Sequence, residues 1–262
     1  MGNNKKILVT GSNGQLGKTL QKRCLDKNGF DWVFLPKDKL DITEKEEIQA
    51  AYKKHNPNFC INCAAFTNVL KSEKEPLLAY KINVEGVKNL TQVSNDNDSI
   101  LIHLSTDYIF DGTKKRPYLE NDKANPLNTY GMTKYLGEKY VIENASFGYV
   151  VRTSWLYSKS FGYNFYRNIL RDASIGKEIK VVKDQYGTPT NTEKLADFIT
   201  KIIISLPKKG IYHCAGEEVM SWYEFANKII KENNYSNKII PVSSKPMAVK
   251  RPLYTPLKNT EI

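Results

Sequence analysis

The run Ile7-Leu8-Val9-Thr10 is short, apolar and β-leaning, and it passes directly into Gly11-Ser12-Asn13-Gly14-Gln15-Leu16-Gly17. Beyond it, Leu16, Leu20 and Leu25 return at roughly helical spacing. Strand, glycine-rich turn and helix open a βαβ unit, which commits the chain to an α/β fold with a parallel sheet. The first glycine makes the turn, the middle one admits backbone to a pyrophosphate, and the last allows close helix–strand packing. The spacing is G-x-x-G-x-x-G rather than the more familiar G-x-G-x-x-G, so a glycine turn without a ligand is the alternative reading.

The alternation continues. Trp32-Val33-Phe34-Leu35 reads as a second strand, ending in Pro36-Lys37. A free ribose 2′-hydroxyl usually meets an acid at that place. Lys37 would instead attract a 2′-phosphate, which favours NADPH, with NADH as the alternative. Leu40-Asp41-Ile42-Thr43 leads into a helix to about His55, with Thr43 as its N-cap. Residues 59–65 read as a buried strand ending in small residues, 80–93 as one amphipathic helix, and 100–104 and 149–152 as further strands. After Trp155 the pattern loosens into a helix at 165–173, a strand at 179–182, helices at 192–205 and 222–233, and strands at 211–213 and 239–240. The expectation is a Rossmann-type doubly wound parallel sheet over 1–155, completed by about 184–206. A smaller mixed α/β part, mainly substrate-binding and spanning 156–262, would close over the strand ends.

Charge and composition exclude several classes. The net charge is +11, but the lysines are scattered, which argues against nucleic acid and leaves anionic small molecules. The longest apolar runs, such as Ile202-Ile203-Ile204, are far too short to span a bilayer. Met1-Gly2-Asn3-Asn4-Lys5-Lys6 does not read as a signal peptide, so a cytoplasmic protein is expected. Cys60-Ile61-Asn62-Cys63 has CxxC form without a second pair or a histidine cluster, and positions three apart in a strand face opposite ways. Buried thiols, and no metal, are expected.

The chemistry-bearing residues follow the fourth strand. Ser105-Thr106-Asp107-Tyr108 closes it, where parallel sheets place their ligands. Tyr130 and Lys134 stand four apart, on one face of a helix. With sixteen tyrosines in a lysine-rich chain such a pair is weak evidence alone; its place one helix after Thr106 gives it weight. A phenol beside an ammonium makes a proton donor, and the Thr106 hydroxyl could hold the oxygen being protonated.

Taken together, Thr10-Gly11-x-x-Gly14-x-x-Gly17, Thr106 and Tyr130-x-x-x-Lys134 resemble the extended short-chain dehydrogenases/reductases. Within them, the chain is similar to the dTDP-4-dehydrorhamnose reductase family. That finer likeness rests on Asn62-Cys63-Ala64-Ala65-Phe66-Thr67, Ser105–Phe110, Arg152-Thr153-Ser154-Trp155, Asp184–Thr190 and Lys250-Arg251-Pro252. The resemblance implies reduction of a 4-keto group on a dTDP-6-deoxyhexose, with Tyr130 as proton donor, Thr106 holding the C4 oxygen, and Lys134 binding the nicotinamide ribose while lowering the Tyr130 pKa. It implies a dinucleotide lined by Gly11, Asn13, Gly14, Gln15, Leu16, Gly17, Lys37, Asp41, Ile42, Ala64, Ala65, Phe66, Thr67, Tyr130 and Lys134. Thr106, Asp107, Tyr130 and Trp155 would meet the sugar nucleotide, with Arg251 on its diphosphate. A homodimer is left open by this reading. Leu70 stands where the family usually has Asp. The alternatives are a reductase or epimerase of another dTDP- or UDP-linked 4-keto-sugar, or a non-catalytic subunit like the methionine adenosyltransferase β subunit.

Overall fold

A computed structural model describes residues 4–24, 29–244 and 249–262. Leu25, expected to continue the first helical stripe, and Met1-Gly2-Asn3 lie outside the described residues. The central sheet is built from β1 (Lys5–Thr10), β2 (Phe30–Leu35), β3 (Phe59–Asn62), β4 (Ile100–Thr106) and β5 (Gly148–Thr153), with a sixth strand at Gly210–His213. All neighbours run parallel in the order β2-β1-β3-β4-β5-sixth strand. Ile7, Leu8 and Val9 are wholly buried, as a central parallel strand covered on both faces requires.

Successive residues face opposite layers. Ile7, Val9, Ile61, Ile102 and Val151 pack with Leu195, Ile199 and Ile202 of the helix Thr192–Ser205. Leu8, Cys60, Leu101 and Val150 pack with Ile48, Tyr52, Val87, Leu90 and Val141 from helices on the other face. The chain leaves β1 for β2 on one side and returns to β3 on the other. This reversal opens a crevice at the C-terminal ends of β1 and β3. The register pairs Thr10 with Asn62 and Asn62 with His103. β4 therefore runs three residues further and carries Thr106 past the crevice floor.

A second apolar core lies in the C-terminal half. Tyr166, Ile169, Phe225 and Ile229, on the helices Phe165–Ser174 and Trp222–Glu232, pack on the parallel pair Ile179–Val182 and Ile239–Val242.

Several local expectations are corrected. The N-cap of the helix Lys45–His55 is Glu44, not Thr43; the Thr43 hydroxyl instead donates to the Asp41 carboxylate at 2.9 Å. The single helix expected over 80–93 is a helix Pro76–Tyr80, a π turn Lys81–Glu85 and a helix Gly86–Asp96. The strand expected at 211–213 is the sixth of the main sheet, Gly210–His213, parallel to β5.

Candidate active site

At the end of β1, Gly11 has φ +58, and a Cβ there would lie 2.7 Å from the Ala64 backbone. Only glycine lets this turn touch the end of β3 so closely. Gly14 donates back to the Gly11 carbonyl at 3.0 Å, and the helix Gln15–Cys24 starts at once. Its free N–H groups and positive dipole end point at the crevice, which suits a diphosphate.

The crevice widens into a cleft of about 630 Å³. Asn13, Gly14, Gln15, Leu16 and Gly17 line one wall, and Ala65 and Thr67 line the floor past β3. Thr106, Asp107, Tyr130, Lys134 and Trp155 border it as well. An apolar groove of similar size between Pro76–Tyr80 and residues 129–136 contains none of these groups.

The helix Thr129–Asn144 delivers the Tyr–Lys pair, and its start is pinned three ways. Asn128 Oδ1 accepts from Gly131 N at 2.8 Å. Glu73 accepts from both the backbone N (2.7 Å) and the hydroxyl (2.9 Å) of Thr129. A Cβ on Gly131 would run into the Tyr108 carbonyl, so glycine lets the helix seat on the strand exit. The Tyr130 ring then meets Tyr108 edge-on at 5.6 Å.

Burial pushes the Tyr130 phenol above its usual range, and the Thr106 hydroxyl only partly offsets this. The phenol is therefore raised rather than lowered, contrary to the depression expected of the Tyr–Lys pair, because desolvation outweighs it. Lys134 itself is 3% exposed, and desolvation lowers it to about 8 against the pull of Glu138. Desolvation raises Asp107 to about 6, although Thr255, Ser154 and Thr106 all donate to its carboxylate.

Residues to which the sequence reading gave no role hold these groups in place. Glu138 and Arg152 form a buried ion pair at 2.8 Å, and Ser105 donates to Glu138 at 2.6 Å beside Thr106. Asn83, in the π turn, donates to Phe66 O (3.0 Å) and Thr133 Oγ1 (3.1 Å) and accepts from Phe66 N (2.8 Å). It thereby ties the floor of the cleft to the residue before Lys134. A π turn inside a helix is itself a frequent mark of a functional site. Trp222, Phe165, Tyr157 and Tyr163 add an aromatic wall.

The remaining sequence-derived positions divide. Lys37 is 73% exposed at the end of β2, with Nζ 3.7 Å from Asp41 Oδ2. Ile42 is buried against Gly86 in the core rather than facing the cleft. Ala64 N donates to Asn62 Oδ1 at 3.1 Å, and Phe66 is anchored by Asn83 through its backbone. Gln15 spends its side chain on the C-terminal half, donating to Leu156 O (3.1 Å) and accepting from Asn164 (3.2 Å). Arg251 stands beside the Tyr108 hydroxyl, at the edge of the site. Trp155, at φ +47, stacks on Trp222 with ring centroids 3.5 Å apart, so one of its faces is covered. Leu70 is half-exposed and does not line the cleft; its neighbour Val69 does. Cys60 is buried with its thiol pushed up to about 12 by desolvation, whereas Cys63 borders the cleft. Among the described residues, no group of His, Cys, Asp or Glu side chains could hold a metal, and no helix is long and apolar enough to cross a membrane.

A sheet of this order, with a Tyr-x-x-x-Lys helix closing over its glycine turn, is the short-chain dehydrogenase/reductase arrangement. Residues 5–262 match the RmlD substrate binding domain family, and the chain belongs to it. It is 36% identical over 270 residues to a dTDP-4-dehydrorhamnose reductase of Aggregatibacter actinomycetemcomitans, covering 98% of this chain and 92% of that protein. It is also 36% identical over 259 residues to the spore coat polysaccharide biosynthesis protein SpsK of Bacillus subtilis, covering 98% and 90%. The crystal structure of a dTDP-4-dehydrorhamnose reductase from Bacillus anthracis in complex with NADP superposes with a TM-score of 0.94 at 38% identity, covering 98% of this chain and 91% of that one.

Proposed function

We propose that this protein reduces the 4-keto group of dTDP-4-dehydro-L-rhamnose to give dTDP-L-rhamnose, with NADPH as the reductant. The observation that carries the reading is the convergence of Thr106, Tyr130 and Lys134 on a cleft whose opposite wall is the Gly11–Gly17 turn. Relatives named for this reaction, matched over nearly their whole length, support the sugar and the cofactor.

The residues present fit a dinucleotide. The Gly11–Ala64 approach leaves the turn free of side chain, and the helix N-terminus behind it offers N–H groups to a diphosphate. Lys37, exposed at the end of β2, offers a cation to a ribose 2′-phosphate. When bound, NADPH supplies the hydride. Negative charge then develops on the C4 oxygen, and Tyr130 delivers its proton to that oxygen while the Thr106 hydroxyl holds it. Lys134 stabilises the resulting phenolate by its charge. Asp107, Trp155 and Arg251 are assigned to the sugar-nucleotide side. The product feeds surface polysaccharide, and the reaction belongs in the cytoplasm.

The test is loss of absorbance at 340 nm with NADPH and dTDP-4-dehydro-L-rhamnose made in situ. Turnover is expected with the wild type and a strong loss with Tyr130→Phe; equal rates for the two proteins would remove the assignment. Lys37→Glu should move cofactor preference towards NADH, and an unchanged ratio would take Lys37 out of the cofactor site.

A further inference from the structure

A chain of buried side chains leads from the glycine turn to Lys134. Thr10 Oγ1 donates to Asn62 Oδ1 at 2.7 Å, and Ala64 N donates to the same oxygen at 3.1 Å. A backbone N–H can only donate, so the Asn62 amide has one orientation, with its NH₂ turned to His103 Nδ1 at 3.1 Å. Nδ1 must then carry the lone pair. His103 is wholly buried, and desolvation together with the Lys134 charge keeps it well below its usual range, hence neutral. A neutral ring with an acceptor Nδ1 bears its proton on Nε2. Nε2 stands 3.5 Å from Lys134 Nζ, which also donates to Leu104 O at 2.6 Å.

We propose that His103 is a positioning residue for Lys134: its Nε2–H, fixed by Asn62, faces the lysine nitrogen and favours the neutral amine over the ammonium. An ammonium there meets another donor; a neutral amine accepts from it. The other charged or titratable groups acting on Lys134 are Glu138 on its own helix and Cys63 past β3; Tyr130, Asp107 and Tyr108 line the same cleft. Glu138 favours the charged form, but its carboxylate is already shared with Arg152 and Ser105. Desolvation lowers Lys134 to about 8, and an N–H of His103 facing Nζ acts in the same direction. The charge on which the proposed reduction relies is therefore lost at moderately alkaline pH.

The proposal rests on that reductase reading, and two experiments separate them. In pH profiles of kcat, His103→Leu removes the opposing N–H. Asn62→Asp keeps the bonds from Thr10 and Ala64 but draws the imidazole proton to Nδ1, leaving a lone pair towards Lys134. Both variants should move the alkaline limb upward by about one pH unit, the second at least as far as the first. Limbs that coincide with the wild type would overturn the proposal. Nitrogen-15 NMR of the wild-type imidazoles, of which there are three, reads the tautomer without any turnover. A proton on Nε2 of His103 is expected, and one on Nδ1 would overturn the proposal even if both variants misfold. Absence of NADPH oxidation by the wild type at every pH would defeat the reductase reading and leave the NMR result standing.

Discussion

At Tyr130 two influences oppose each other. Burial holds the proton on the phenol, and the Thr106 hydroxyl makes its loss easier. A donor that keeps its proton until charge develops on the substrate oxygen suits reduction better than a phenolate formed in advance. Tyr130→Phe leaves the ring against Tyr108 and removes only the proton, so kcat should fall about 10²–10⁴-fold with unchanged thermal stability, as steady-state kinetics and a melting curve would show. Asp107 gives a separate signature. Its folded carboxyl is at about 6, against 3.8 in an unperturbed side chain. Between those values the folded state keeps a proton that the unfolded chain releases, so this residue's contribution to stability falls as pH rises through the window. The melting temperature of the wild type relative to Asp107→Asn should therefore be highest near pH 4 and decline towards pH 7. A difference that stays flat would show that the charge is not desolvated as described. Sequence spacing brought Tyr130 and Lys134 together because a helix makes that relation local. It could not show His103 beside Lys134 or Arg152 beside Glu138, because those contacts cross from strand to helix and depend on register.

The helix Thr129–Asn144 is placed by its first turn. Glu73, from a separate helix, satisfies two donors of Thr129, and a carboxylate there also meets the positive end of the dipole. Glu73→Ala should cost about 1 kcal/mol and lower the melting temperature by about 2–4 °C; a change confined to kcat would mean that the cap carries no stability. Gly131→Ala must push the helix off the Tyr108 carbonyl, so it should lower kcat by displacing Tyr130 even where the fold survives, as kinetics beside a melting curve would show. The β1 turn and the order of strands and helices along the first half were legible in the sequence, since apolar runs and glycines mark them. The π turn was not. Inserting one residue into a helical turn shifts the phase of the pattern without erasing it, and Val87, Leu90 and Thr91 beyond it still read as one helical stripe. The polar Asn83 before them was the available signal.

Across the whole molecule, two apolar cores meet around one cleft. The glycine turn is tied to the C-terminal half through Gln15, which bonds both Leu156 and Asn164. Asp107 draws Ser154 and Thr255 to the end of β4. Trp155 and Trp222 stack between the two halves of the chain. Gln15→Ala should raise KM for both NADPH and the sugar nucleotide while leaving kcat within a few fold, because the clasp joins two walls and touches no reacting atom. A KM change for one ligand alone would restrict Gln15 to that ligand's wall. In the later half the helices and the strands at 179–182, 211–213 and 239–240 were legible, whereas the two-residue strands and the contacts of Trp222 and Thr255 were not, because their partners lie far off in the chain. The central claim remains that the cleft passes a hydride to a 4-keto-sugar nucleotide and that Tyr130 completes the reduction. The most direct measurement is NADPH consumption at 340 nm with dTDP-4-dehydro-L-rhamnose, wild type against Tyr130→Phe, with the product analysed by NMR. Stoichiometric formation of dTDP-L-rhamnose by the wild type and its near loss in the variant are predicted. Equal consumption by both proteins, or none by either, would contradict the account.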